Sequence, residues 1–479
     1  MQTTIKKINK GKTKDNILYL VSQTGKLKEY GFSQVEISFI NDQVDGKDKK
    51  LISFNRYSHW EYVQFIKKEK EANDHLQIET CRKDGDKFVS SLNSQKLKEI
   101  TICDAGIKPA ELLAFVEGMA LGNYQFLKYI SDQKKLNSLK SISVLSNQIS
   151  ASELNELSAI VDGTCKCRDL VNEPLSNLDA DALADIFKEM GKEGSIKVEV
   201  FYKAKIETLK MGGLLSVNKG SPNPPTFTVM EWKPENHINK KPYIIVGKGI
   251  VFDTGGINLK TSTGLQTMKC DMGGAAAAGC IIYVIAKQKL PVWVISLMPA
   301  TENRPDGNAM VPGDVITISD GTTVEVQNTD AEGRLILADA LVFAKKYKPE
   351  LVIDIATLTG SASAAIGPFG IVAMGSGYNK QMEKLKESGD AVHERIAEFP
   401  FWEDYKDLIK SEVADIRNTS GPYAGAIGAG KFLEHFVDYP WIHLDIAGPV
   451  FLDHRDSYRG MHATGVCVRL VYDFLKKKI

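Results

Sequence analysis

Seven charged side chains crowd one stretch of the chain: Lys248, Asp253, Lys260, Asp271, Asp330, Glu332 and Arg334. They are carried by VGKGIVFDTGGINLK, QTMKCDMGGAAAAG and VQNTDAEGRLILADAL, next to glycine-rich turns and strongly apolar runs. Four carboxylates in one pocket would repel one another, so such a site needs cations. Oxygen ligands without cysteine or histidine suit Mg, Mn or Zn held through carboxylates. Two divalent ions would balance the four acids and leave Lys260 and Arg334 to grip an anion or a developing oxyanion. The chemistry implied is hydrolysis at a two-metal centre. An aspartate beside glycine is more often a turn residue or a helix cap. That reading would win for any one of these acids, but not for the set.

The elements that must position these residues read as alternating strands and helices. KVEVFY, TFTVMEW, YIIVGKGI, VWVISLM, VEVQ, LVIDIAT and WIHLDIAG are the expected strands, with helices over Gly273–Lys287 and Gly333–Lys346. Such alternation predicts a mainly parallel sheet covered by helices on both faces, with the site at the carboxyl ends of its strands. Lys248 then follows YIIVG, Asp330 follows VEVQ, and Thr357–Gly360 follows LVIDIA. Asp330 and Glu332, two apart, would point to the same side if the backbone there is extended. Upstream, VEISFI (35–40) and EITIC (99–103) read as strands. A helix is expected from Pro109 through Leu127, and others over 151–171 and ADALADIFKEMGK. SDQKKLNSLK (131–140) reads as an exposed connection.

At 479 residues the chain exceeds the usual single-domain size. The expected fold class is α/β in two domains: a smaller N-terminal α/β domain over 1–155, and a larger α/β/α domain over 156–479 with a mainly parallel central sheet. No catalytic constellation appears in the first, which reads as a packing or assembly module. Sixty basic and sixty acidic side chains cancel, which argues against a general attraction to nucleic acid or anionic membrane. Seven cysteines in no regular framework suggest reduced thiols, and the lone Cys165-x-Cys167 pair makes a poor zinc site. MQTTIKKINKGKTKDN has no apolar core and does not read as a secretory signal; the apolar run Ala275–Ala286 is too short to span a bilayer. A cytoplasmic protein is the expectation.

VGKGIVFDTGGINLK, MKCDMGGAAA and above all NTDAEGRL resemble the leucine aminopeptidase family of dinuclear metallopeptidases. The resemblance extends through EN-x-x-x-GNAM-x-PGD (302–314), ATLTGSA (356–362) and WIHLDIAGP (441–449). It runs from RDLVNEP (168–174) to ATGVCVRL near the C-terminus; upstream only AFVEGMALGNYQF (114–126) is familiar. It implies that Asp253 and Glu332 bridge two divalent ions (Zn or Mn, with Mg or Co as alternatives). Asp330 would complete the looser site, and Lys248 and Asp271 the tighter one. A lysine ligand must be neutral, which demands a strongly depressed pKa.

The resemblance further implies attack by a metal-bridging water or hydroxide on the N-terminal peptide bond of a short peptide. The free α-amine of that peptide would bind one metal. Lys260 would stabilise the oxyanion and Arg334 would hold a bicarbonate acting as general base. Met268, Thr357, Leu358 and Gly360 would form the substrate pocket, and leucine preference is the family habit. The assembly implied is a homohexamer. The rival from the same acids is a two-metal phosphatase or nuclease, which would need phosphate grips beyond Lys260 and Arg334. No H-E-x-x-H or G-x-S-x-G is present. His443, inside an apolar strand, reads as a hydrogen-bonded core histidine. A DNA-binding or scaffold role, known beside catalysis in this family, is disfavoured by the even charge balance.

Overall fold

The computed structural model describes residues 3–11, 15–47, 50–67, 73–378 and 380–479, so part of the lysine-rich N-terminal stretch lies outside it. The chain forms two compact units, Met1–Cys165 with Arg455–Gly460, and Lys166–His454 with Met461–Ile479. The division falls inside the helix Ala151–Asn172, which also contains the 155/156 boundary expected from the sequence.

The first unit is built on a six-stranded sheet of β1 (Thr4–Ile8), β2 (Ile17–Val21), β3 (Leu51–Asn55), β4 (Trp60–Phe65), β5 (Glu99–Ala105) and β6 (Ser141–Leu145). The order is β1-β6-β5-β2-β4-β3, parallel except for β3 against β4. EITIC lies in β5, and Pro109 opens the helix Pro109–Gly122, which ends before Tyr124 and Leu127. That helix meets Asp74–Ser94 almost backbone to backbone. A Cβ on Gly118 would stand 1.9 Å from the Arg82 carbonyl oxygen, so only glycine permits the approach.

One expectation here is overturned. VEISFI is not a strand but part of the helix Gln34–Lys47. Ile37, Ile40 and Val44 are buried while Val35 and Phe39 are exposed, a spacing of three and four that fits a helix face. The start signal was the S-x-x-E of Ser33 and Glu36. The Ser33 amide donates to Glu36 Oε2 at 2.7 Å, and the Glu36 amide donates to Ser33 Oγ at 3.3 Å.

The second unit holds a nine-stranded sheet. Its strands are β7 (Lys197–Phe201), β8 (Thr226–Trp232), β9 (Tyr243–Gly247), β10 (Gly249–Asp253), β11 (Val294–Asn303), β14 (Leu351–Ala356), β15 (Ile371–Ser376), β16 (Ile396–Glu398) and β18 (Trp441–Asp445). A three-stranded sheet beside it is made of β12 (Val315–Thr317), β13 (Thr323–Glu325) and β17 (Ile416–Arg417). The large sheet runs β16-β15-β18-β14-β9-β11-β8-β7, with β10 alongside β11. Its centre, β18-β14-β9-β11, is parallel; β15 and β8 flank it antiparallel.

Ile295 and Leu297 of β11 join the core under the helix Gly333–Ala344, whereas Ser296 between them donates to the Ala278 carbonyl of the helix Gly273–Lys287 at 3.0 Å. Helices therefore cover both faces. The small residues of GGAAAAG let the second helix press on the sheet, and a Cβ at Gly274 would stand 2.0 Å from the Ile355 carbonyl oxygen. Helical structure from Met268 to Lys287 makes a segment long and apolar enough to cross a membrane by length and composition, longer than the Ala275–Ala286 run suggests. However, 89% of its apolar window is buried inside the protein, as in a core helix.

Two further expectations change. YIIVGKGI is broken at Lys248 into β9 and β10, both alongside β11, because the backbone parts from β14 there. The Lys248 amide donates to Ile355 O at 3.0 Å, and its carbonyl accepts from the Ala275 amide at 2.8 Å. VEVQ belongs to the small sheet through β13, so Asp330 does not follow a strand of the central sheet.

Candidate metal centre

β9 and β14 are adjacent, yet the chain leaves β9 toward β11 on one side and later leaves β14 toward β18 on the other. Loops separate at such a reversal and open a crevice at the carboxyl ends of the strands. Lys248 and Thr357 stand at these two ends. Lys248 Nζ donates to the Thr357 carbonyl oxygen at 2.9 Å and to Asp271 Oδ1 at 2.8 Å, and lies 2.9 Å from Glu332 Oε1. Asp271 comes from the short 3-10 turn Met268–Met272 that leads into Gly273–Lys287. The Thr357 hydroxyl donates to its Oδ1 at 2.7 Å.

The second half of the cluster is Asp253, at the end of β10, with Lys260, Asp330 and Glu332. Lys260 Nζ lies 2.8 Å from Asp253 Oδ2 and 2.5 Å from Asp330 Oδ1. Carboxylate oxygens of Asp253, Asp330 and Glu332 lie within 4.8 Å of one another. The backbone carrying the last two is a turn rather than extended, with the Ala331 amide donating to Asn328 O at 3.2 Å and Glu332 in helical conformation. The two carboxylates share the site because the turn folds them there, and not through strand alternation. Glu332 and Arg334 bracket the start of the helix Gly333–Ala344, whose Leu335, Ile336, Leu337 and Leu341 are fully buried. At about 1.5–3 kcal/mol for each large apolar side chain, that anchor is strong enough to hold charged neighbours out of water.

Electrostatics show what the site lacks. Burial pushes Glu332 up to about 7, with Asp253 adding to the shift and Lys248 opposing it. Burial raises Asp271 well above the usual carboxylate range, more than Lys248 can offset. Asp330 is raised by burial and by Asp253. Burial works against the Lys248 ammonium, but Asp271, Glu332 and Asp253 outweigh it and raise its pKa. Asp271 Oδ2 and Glu332 Oε2 are buried without a hydrogen-bond partner. Crowded carboxylates with unmatched oxygens are short of positive charge, and divalent cations would supply it. The donor set of carboxylates and one amine fits such ions.

Arg334 is 8% exposed; its Nη1 donates to the Asn418 carbonyl at 2.6 Å and its Nε has no partner. Burial draws it down to about 10, against the pull of Glu332 and Asp445. Met268 and Leu358 are half-buried, Thr357 is buried and Gly360 is exposed. Of the residues singled out, Lys248, Asp253, Lys260, Asp271, Asp330 and Glu332 meet in one cluster, Thr357 joins it through Lys248 and Asp271, and Arg334 lies in the first turn of the helix that follows Glu332.

Several supporting residues escaped the sequence reading. Asn303 ends β11 within the quoted EN-x-x-x-GNAM segment; its Nδ2 donates to Asp253 Oδ1 at 2.8 Å and to Thr329 O at 3.1 Å. Asn418, in RNTSG, accepts from the Gln327 amide at 2.8 Å and donates to Asn328 O at 2.7 Å, which braces the turn before Asp330. No spacing pointed to it. His443 is the core histidine its strand suggested, fully buried with Nδ1 2.6 Å from Asp354 Oδ1. All seven cysteines are free thiols.

Carboxylates and lysines gathered by the strand ends and turns of an α/β fold are a donor set suited to a metal-dependent hydrolase. Residues 165–472 match the profile described as "Cytosol aminopeptidase family, catalytic domain". A probable cytosol aminopeptidase of Chlorobaculum parvum is 47% identical over 384 residues, covering 77% of this chain and 76% of that protein. One of Clostridium perfringens is 41% identical over 376 residues, covering 77% and 76%. Among solved structures, a tomato leucine aminopeptidase mutant superposes with a TM-score of 0.85 at 26% identity, covering 99% of this chain and 97% of that one. The bottromycin maturation enzyme BotP in complex with Mn gives 0.84 at 28% identity, covering 97% and 100%. The chain belongs to the cytosol aminopeptidase family. It is a metal-dependent aminopeptidase.

Proposed function

We propose that this chain removes the N-terminal residue of short peptides with a free amino end, leucine preferred. The observation that carries the reading is the meeting of Asp253, Asp330 and Glu332 within 4.8 Å beside two lysines. Lys248, Asp253, Asp271, Asp330 and Glu332 would hold two divalent ions, Zn or Mn. Such a pair, when bound, supplies an activated water and polarises the scissile carbonyl. Lys260, whose Nζ lies 2.8 Å from Asp253 and 2.5 Å from Asp330, would then be the cation placed to stabilise an oxyanion. Lys248 serves as ligand only after losing its proton, so its raised pKa must be inverted by the incoming charge. Arg334, buried with its Nε unmatched, would hold a bicarbonate ion, which would supply a general base.

Met268, Thr357, Leu358 and Gly360 would line the pocket for the N-terminal side chain. The first unit, with no chemistry of its own, is read as an assembly module of a cytoplasmic homohexamer. Near-zero net charge does not oppose that association.

The deciding experiment pairs Leu-Gly-Gly with its N-acetylated form on Mn- or Zn-loaded protein. Hydrolysis of the free peptide alone is expected, and comparable rates on both would remove the aminopeptidase reading. Light scattering during size exclusion should give a particle near six times the 52.9 kDa chain. An active monomer would refute the assembly.

A further inference from the structure

Asp445 closes β18 as a carboxylate only 1% exposed, opposite Ala356 in the β14–β18 register. All of its oxygens' partners lie at or beyond the strand ends. The Leu358 amide donates to Oδ1 at 3.2 Å, the Ala447 amide donates to Oδ1 at 3.1 Å, and the Thr359 hydroxyl donates to Oδ2 at 2.8 Å. The same hydroxyl accepts from the Ala362 amide at 3.0 Å and so caps the helix Gly360–Ile366. With its one proton given to Asp445 and a lone pair given to Ala362, Thr359 has a single orientation. Two residues upstream, Thr357 holds Lys248 through its carbonyl and Asp271 through its hydroxyl.

We propose that Asp445 is a positioning residue: by pinning Leu358 and Thr359 it fixes the Thr357–Gly360 loop for the substrate's aminoacyl group and registers that loop with Lys248 and Asp271. This rests on the aminopeptidase reading. Within the loop Leu358 is half-buried against the core, whereas Gly360 is exposed, so the polar ties supplement a single apolar contact. Three hydrogen bonds converge on this one side chain, and it sits on a rigid central strand, so the loop is tied to the sheet at two successive residues. No ligand atom is contributed by Asp445, so its effect passes through the loop.

The test uses metal-loaded protein, three single variants and the Asp445→Asn/Thr359→Val double variant. Asp445→Asn keeps the shape but turns one acceptor into a donor facing the Thr359 hydroxyl. Thr359→Val keeps the shape and removes the hydroxyl, and Thr359→Ser retains it. Amide hydrogen exchange at Leu358 and Ala362 should accelerate roughly ten-fold in the first two variants, as local opening becomes easier, and return in Thr359→Ser. On Leu-p-nitroanilide, kcat/KM should fall about ten-fold, mostly through KM, because loss of loop contacts removes binding shared by ground and transition states. The double variant should be no worse than either single one, since both break one link. Unchanged exchange at both amides in folded Asp445→Asn, or a kcat/KM within about two-fold of the parent, would overturn the proposal. If Asp445→Asn does not fold, the Thr359→Val and Thr359→Ser pair decides by the same two readouts. A parent protein that splits no aminoacyl anilide would sink the aminopeptidase reading, while exchange would still decide whether the loop is pinned.

Discussion

Lys248 fits its site only because Gly333 has no side chain. A Cβ at Gly333 would stand 2.5 Å from Lys248 Cε and 2.7 Å from its Nζ. The glycine of NTDAEGRL thus makes room for the lysine of VGKG, eighty-five positions upstream by subtraction of their numbers. Lys248 cannot move aside, being buried and held by Asp271, Glu332 and Thr357.

Gly333→Ala is therefore expected to act against its own helix propensity. Alanine at this first helical position should favour the helix by up to about 1 kcal/mol. It should still cut kcat/KM by about 100-fold or more, the scale of a 1 Å misplacement. Gly360→Ala is the control, since a Cβ there meets nothing within 4 Å. It should fold and bind metal normally and raise KM by crowding substrate. Equal kinetics in the two variants would show that Lys248 is not confined as described.

Metal dependence should be complete. Chelation should abolish hydrolysis of Leu-p-nitroanilide, and Mn, Zn or Co should restore it. Asp330→Asn should remain folded and lose most activity, because it removes a charge with little change in shape. Full turnover by metal-free protein would eliminate the carboxylate cluster as the reaction centre.

Lys260 and Arg334 should matter to the reaction more than to metal retention. Lys260→Ala is expected to lower kcat by roughly 10²–10³, as for loss of one oxyanion donor. Arg334→Ala should lose less, its part passing through a bound anion. Elemental analysis should find both variants with the metal content of the parent. Metal loss in Lys260→Ala would reassign that lysine to ligation.

Asp339 offers a test of pH dependence away from the metal residues. Burial pushes it up to about 7, against the bonds it accepts from the Leu214 and Ser319 amides. The unfolded chain binds fewer protons than the folded one between pH 4 and 7, so this group's contribution to stability falls as pH rises through that window. Asp339→Asn cannot ionise. The parent should lose stability relative to it from pH 4 to 7, by at most on the order of 4 kcal/mol. A difference in denaturation midpoints that is flat across this range would show that Asp339 is ionised throughout in the folded protein.

The residue types, their spacing and their glycine neighbours singled out Lys248, Asp253, Lys260, Asp271, Asp330 and Glu332, which the fold brings into one cluster. Motif resemblance added their expected roles. Strand and helix periodicity also placed EITIC, YIIVG, LVIDIA, WIHLD and the two core helices, because apolar runs bounded by turns are local features. VEISFI misled because six residues of mixed apolar pattern fit both periods, and the S-x-x-E start signal decided for a helix. VEVQ misled in another way: a strand does not declare which sheet it will join. Pairing is a contact between distant segments, and so is the fit of Gly333 to Lys248. The same holds for Asn303 on Asp253, Asn418 beneath Arg334, and Asp445 on the Thr359 loop. Asparagine and aspartate occur in turns everywhere, and their types alone do not say which backbone they will brace. Chemistry was legible in the sequence because it depends on side-chain type; its positioning was decided by tertiary structure, because hydrogen bonds and close packing depend on which residues the fold brings within a few ångströms.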